Sequence, residues 1–179
     1  GAGGWRLGYL VFPKNLSYIK DAIRNVASET YTSVSAPIQY AAIKAFTEDH
    51  SNYLNNSRMI LRLISEYIYK ELYYVGVKCI STQGGFYMIC DFSKVVKKTN
   101  EISDGASLSN KILKDIGFAM LPGSDFGLDK EKLLTRIAFV DFDGKKALEL
   151  VDKNIYDLSL ICPRIIKGID RLKEWIKLN

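Results

Sequence analysis

The sequence predicts an α+β fold, and three observations carry the prediction. From Leu16 to Gly76 apolar residues recur at helical steps of three and four, whereas beyond Gly76 runs of β-formers with a period of two appear. Past that point strand-like and helix-like runs follow the order β, β, α, β, β, α, α, which suits a layered domain better than a repeating βα series. The chain also has apolar material to spare: 47% of its 179 residues are hydrophobic, with 11 Tyr and 8 Phe, enough for one domain and part of another and far from a disordered composition.

Taken in order, "GWRLGYLVF" is aromatic and apolar up to Pro13 and predicts a short buried strand. Asn15 is placed to cap a helix striped by Leu16, Ile19, Ile23 and Val26. After the Ser/Thr-rich "SETYTSVS", Ser35 and Pro37 predict a second helix start, with Ile38, Ala41, Ala42, Ala45 and Phe46 on its apolar face. From Ser51 to about Tyr74 one stripe holds Leu54, Leu61, Ile64, Ile68 and Leu72; this predicts a helix on the order of 35 Å long, closed by Gly76. "VKCIS" and "GFYMICDF" predict two strands, the second setting Phe86, Met88, Cys90 and Phe92 opposite Tyr87, Ile89 and Asp91. "SLSNKILKDIG" predicts a helix with Leu108, Ile112 and Ile116 inward, "FAMLPG" and "LLTRIAFV" two strands, and the tail two helices, around Lys145 to Asp152 and from Pro163 onward.

Several function classes find little support. The net charge of +5 is scattered, and its densest cluster, Lys94 to Lys98, reads as a solvated loop rather than a nucleic-acid surface. No apolar run reaches the ~20 residues of a membrane span. Cys79, Cys90 and Cys162 share no metal-ligand spacing and read as reduced, mostly buried thiols of an intracellular protein. His50 is the only histidine, so a catalytic triad would hang on one residue at a helix start, where a capping or surface role fits better. Asp141 and Asp143 read as helix caps rather than a cation site, and "STQGGF" and "LPGSDFG" lack the Lys and Ser/Thr of a phosphate loop. Arg136, in the apolar strand "LTRIAF" on the side of Leu134 and Ala138, stands out. A guanidinium there needs a partner: an internal carboxylate, which composition alone favours, or the carboxylate of a ligand.

A resemblance adds to this reading. Gly4, Trp5, Arg6, Gly8 and Tyr9, then "TSVSAPIQYAAIKAF", "GGFYMICDFS", "LPGSDFG" and "LTRIAFV", resemble in order five motifs of the class I and II aminotransferases, the fold-type I enzymes that use pyridoxal 5'-phosphate. The likeness implies the family's small C-terminal domain, a small sheet packed with helices, plus the last strand and helices of its α/β large domain. It divides the chain into a large-domain remnant (residues 1–48), an interdomain helix (49–76) and the small domain (77–179). Arg6 and Ser33 are then implied as cofactor-binding, the first through the phosphate and the second in a loop that reaches the partner subunit's site. Arg136 is implied as the arginine that grips the substrate's α-carboxylate, which reverses the preference for an internal salt bridge.

The family's Schiff-base lysine falls three positions before Gly1, and the groups that stack on or hydrogen-bond the cofactor ring have no match in the chain. The expectation is therefore the C-terminal part of an aminotransferase moving an amino group between an amino acid and a 2-oxo acid, cytoplasmic, homodimeric when intact, and inactive as a fragment. Two alternatives stay open: a lyase of the same fold, and a non-catalytic truncated module exposing Ile38, Ala42 and Phe46 to a partner.

Overall fold

The computed structural model describes residues 2–179, so Gly1, the first of the small residues that open the chain, lies outside them. The chain divides into two units, Gly1–Ser51 and Asn52–Asn179.

The N-terminal unit is helical. A 3-10 turn, Gly3–Trp5, ends at Arg6 in the left-handed region (φ 55°), and a second turn, Lys14–Leu16, leads into α1 (Ser17–Thr30) and α2 (Ala36–Thr47). The strand expected over "GWRLGYLVF" is absent, and Tyr9, Leu10 and Val11 are exposed. A strand's N–H and C=O groups need a neighbouring strand, and no other strand lies among the described residues of this unit. Nor does Asn15 cap α1. The Leu16 amide donates to the Pro13 carbonyl at 2.9 Å, which folds Asn15 into the turn, and Leu16 takes the cap position without a side-chain bond. Helix α2 begins where expected, after Ser35 and with Pro37 in its first turn. Of the three residues expected to face a partner, Phe46 is exposed, Ile38 is half-buried and Ala42 is buried.

The C-terminal unit builds a core. Helix α3 (Ser51–Tyr74) spans the predicted range and buries Ile60, Ile64, Ile68 and Leu72, while Leu54, at its exposed beginning, does not reach the core. Gly76 closes it at φ 83°, a value an L side chain rarely adopts, and the Val77 amide returns to the Leu72 carbonyl at 3.0 Å.

Four antiparallel strands follow: β1 (Lys78–Cys79), β2 (Tyr87–Asp91), β3 (Leu121–Pro122) and β4 (Leu134–Ala138), in the order β1-β2-β4-β3. Alternation sends Met88, Cys90, Thr135 and Ile137 to the covered face, with Phe92, Leu133 and Phe139 at the strand ends. Phe86, expected on the same face as Met88 and Cys90, is exposed and leans on Tyr87 with ring centroids 4.4 Å apart, because β2 begins one residue later, after the Gly84–Gly85 turn.

Helices α4 (Gly105–Ile116), α5 (Gly144–Asp152), α6 (Leu158–Ile161) and α7 (Pro163–Leu178) complete the unit. Asp104 and Ser107 form a reciprocal capping box at α4, Asp143 caps α5 and Asp157 caps α6, a one-turn helix the sequence pattern does not announce. The stripe of α7 is buried as expected at Ile165, Ile169, Leu172 and Ile176, and Trp175 joins it. Its indole N–H donates to Asp115 at 2.9 Å and Lys173 pairs with Glu71, which ties α7 to α4 and to α3.

Candidate functional site

The site is built on β4, the inner strand flanked by β2 and β3. Thr135 and Ile137 point into the core, so the intervening Arg136 is driven to the opposite face with Leu134 and Ala138, as alternation requires. Across the ladders its neighbours are Ile89 on β2 and Leu121 on β3.

Two aromatic rings then enclose the guanidinium. Its central carbon lies 4.0 Å from the centroid of the Tyr87 ring and 3.9 Å from that of Phe126. Tyr87 is the first residue of β2 and sits diagonally across the ladder. Phe126 arrives by another route, in the 3-10 turn Gly123–Phe126 that follows β3. This turn can lie against β4 only because residue 123 has no side chain: a Cβ there would stand 2.8 Å from Leu134 Cβ and 3.1 Å from the Leu134 carbonyl oxygen. Gly127 ends the turn in the left-handed region at φ 75°. On the other side, Gly105 brings the start of α4 so near β4 that an added Cβ would meet the Leu134 carbonyl oxygen at 2.4 Å. Glycine at these two close approaches thus fixes the strand and the ring that serve Arg136.

The surroundings of Arg136 bear on the salt-bridge reading. Among the described residues no carboxylate lies within 4 Å of it, and its Nε, buried from solvent, has no hydrogen-bond partner. The internal salt bridge that composition favoured is not made. With two rings within about 4 Å of its central carbon, the permanently charged fork keeps in-plane N–H donors of the kind a planar carboxylate accepts from. Tyr87 and Phe126 are the functional residues the sequence reading missed. Alternation along β2 is the signal that places Tyr87 on the face of Arg136, whereas Phe126 lies within "LPGSDFG" and its direction depends on the turn at Gly123.

The other sequence candidates lie within their own units. Arg6 and Ser33 belong to the N-terminal unit; both are exposed, Arg6 directly after the Gly3–Trp5 turn and Ser33 in the loop between α1 and α2. Arg6 makes no ion pair among the described residues. His50 lies 3.3 Å from the Lys44 carbonyl oxygen through Nε2, a local contact of the helix junction. Asp143 caps α5 as expected, and Asp141 pairs with Arg164 at 2.9 Å. No cluster of metal-ligating side chains occurs among the described residues, and none of their helices is long and apolar enough to cross a membrane. In the Lys94 to Lys98 stretch Val96 is buried and Lys98 donates to the Glu131 carbonyl, so the segment is a loop anchored by its valines. A groove of about 650 Å³ lies between α3 and residues 81–85, lined by Arg58, Arg62, Glu66, Lys70, Thr82 and Gln83; Arg136 is not part of it.

The chain is similar to known proteins along nearly its whole length. The chain is 28% identical over 176 residues to an aspartate aminotransferase of Sulfolobus acidocaldarius, covering 97% of this chain and 37% of that protein. It is 30% identical over 125 residues to an aspartate aminotransferase of a Bacillus species, covering 69% of this chain and 31% of the relative. Among solved structures, an alanine aminotransferase from Pyrococcus furiosus superposes with a TM-score of 0.70 at 24% identity, over 99% of this chain and 39% of the other. An aminotransferase from Mycobacterium tuberculosis gives 0.69 at 23%, again over 99% and 39%. The described fold is thus that of the C-terminal part of a fold-type I enzyme, and the chain spans about a third of the length of the relatives it matches. With the model for aminotransferase class I and II matching residues 1–153, the chain belongs to that family.

Proposed function

We propose that Arg136 receives the α-carboxylate of an amino acid or 2-oxo acid, and that the protein of which this chain forms the C-terminal part transfers an amino group between them with pyridoxal 5'-phosphate. The carrying observation is a guanidinium held between Tyr87 and Phe126 with no carboxylate of its own. Two in-plane hydrogen bonds to a carboxylate orient the substrate, so that the bond to be broken stands in one direction relative to the cofactor. The aromatic walls keep water from the guanidinium's faces and so keep the attraction strong.

The residues present also fit the cofactor. Arg6, exposed, unpaired and set in a turn of small residues, offers a planar fork to its phosphate dianion, and Ser33 lies in a hydroxyl-rich loop suited to polar contacts at the site of a partner subunit. The bound cofactor supplies the electron sink for loss of the Cα proton. Division into a large-domain remnant (1–48), an interdomain helix (49–76) and a small domain (77–179) is part of the same proposal, as are a homodimer and a cytoplasmic location. No residue of the chain matches the family's Schiff-base lysine, so the 179 residues alone bind carboxylate without turnover.

Two measurements test this. Adding maleate, a non-reacting dicarboxylate, to the chain should shift the Arg136 Nε–H resonance in a 15N-labelled sample and leave the Arg136→Gln variant's spectrum unmoved; equal responses in both overturn the carboxylate role. In the full-length protein, amino transfer that depends on a 2-oxo acid is expected. Release of ammonia without an acceptor would instead make the protein a lyase of the same fold.

A further inference from the structure

Outside the arginine site, the molecule places two thiols face to face. Cys79 on the edge strand β1 pairs in register with Cys90 on β2, and their Sγ atoms are 3.3 Å apart, in hydrogen-bond contact. The pair is of the non-hydrogen-bonded kind: the Ile80 amide donates to the Ile89 carbonyl at 3.0 Å one residue further along, and in an antiparallel ladder bonded and non-bonded pairs alternate. Cα atoms of such a pair stand about 4.5 Å apart, inside the roughly 4.4–6.8 Å that a disulfide bridges. Burial distinguishes the two residues, since Cys90 is fully buried and Cys79, at the sheet edge, is only partly buried. The third thiol, Cys162, is buried on the segment joining α6 and α7 and has no cysteine beside it.

We infer that Cys79 and Cys90 form a redox modification site, which small organic disulfides convert to a reversible cross-strand disulfide. The Cys79 thiolate attacks one sulfur of the external disulfide; the external S–S bond breaks, one small thiolate leaves, and a mixed disulfide forms on Cys79. Cys90, already in contact with Cys79 Sγ, gives up its proton to the medium and attacks that sulfur, expelling the second small thiolate. The sum is two protein thiols and one external disulfide giving one protein disulfide and two external thiols, so the protein is oxidised by two electrons and the reagent reduced by two. The order follows from access, because Cys79, on the edge strand, is the less buried of the two. The hydrogen bond with Cys79 and burial hold the Cys90 thiol well above its ordinary value, so it stays protonated at rest and does not lead the attack. Cys162, pushed up to about 11 by burial, stays out of the exchange. The product fastens the two-residue strand β1 to β2, which pairs directly with the strand of Arg136.

The test treats the folded chain with oxidised glutathione and reads its intact mass and its disulfide-linked peptides. The expected product is about two mass units lighter, carries no glutathione, links Cys79 to Cys90, leaves Cys162 free, and returns to the starting mass with excess monothiol. A Cys90→Ser variant should retain one glutathione on Cys79, because nothing displaces it, and Cys79→Ser should react at neither strand. Unreacted thiols in the unsubstituted chain, a link through Cys162, or a product carrying two glutathiones would overturn the inference whether or not the variants fold.

Discussion

The two units of this chain use similar sequence material to opposite effect. In the N-terminal unit α1 and α2 carry apolar stripes, yet Ala42 is the only buried residue among those described; Val26, Tyr31, Tyr40 and Phe46 are largely exposed. In the C-terminal unit comparable stripes on α3, α4 and α7 close over one face of a sheet and bury Ile64, Leu72, Leu108 and Leu172 completely. Helices form from local bonds and caps, whereas burial needs a second surface, and only the unit with a sheet supplies one. The two arginines divide in the same way: Arg6 is exposed on a turn, and Arg136 is held by rings that strand pairing and a glycine turn deliver.

The largest effect should come from setting the two units against each other. Leu72→Ala, at a fully buried position, should cost about 2–5 kcal/mol in urea unfolding, whereas Phe46→Ala should fall within about 0.5 kcal/mol. Equal losses would mean that the N-terminal helices share in the cooperative core. Next in size is Gly105→Ala, whose methyl group must displace the Leu134 backbone; about 1–3 kcal/mol of stability should be lost, with a visible disturbance of β4 amide resonances.

At the site itself, Phe126→Leu should weaken maleate binding by about 0.5–2 kcal/mol, roughly twofold to thirtyfold, while Phe126→Tyr keeps the ring and the affinity. If leucine and tyrosine behave alike, the ring merely fills space. The smallest effect concerns acid. The Trp175 indole and the Lys111 ammonium hold the Asp115 carboxyl below its ordinary value of 3.8. A group lowered in the folded state stabilises above its unfolded pKa and stops doing so as pH falls through the folded one. Asp115→Ala should therefore lower the melting temperature at neutral pH, and the difference from the unsubstituted chain should close below pH 3.8. A constant gap across that range would assign the loss to packing alone.

What the sequence by itself determined was chiefly what local chemistry settles. The range of α3, the stop at Gly76, the Asp143 cap, the stripe of α7 and the side of the sheet on which Arg136 emerges all follow from residue types at fixed spacing. The ordered motifs, read together, placed the chain in its family. Where the sequence reading failed, the outcome lay with partners far along the chain. "GWRLGYLVF" has strand composition without a neighbouring strand, Asn15 was drawn into a turn set by Pro13, and Phe86 fell one residue outside its ladder. Only the tertiary structure decided that Arg136 faces two rings instead of a carboxylate and that Cys79 meets Cys90, because both depend on the register of strands whose side chains are brought together across the sheet, not along the sequence.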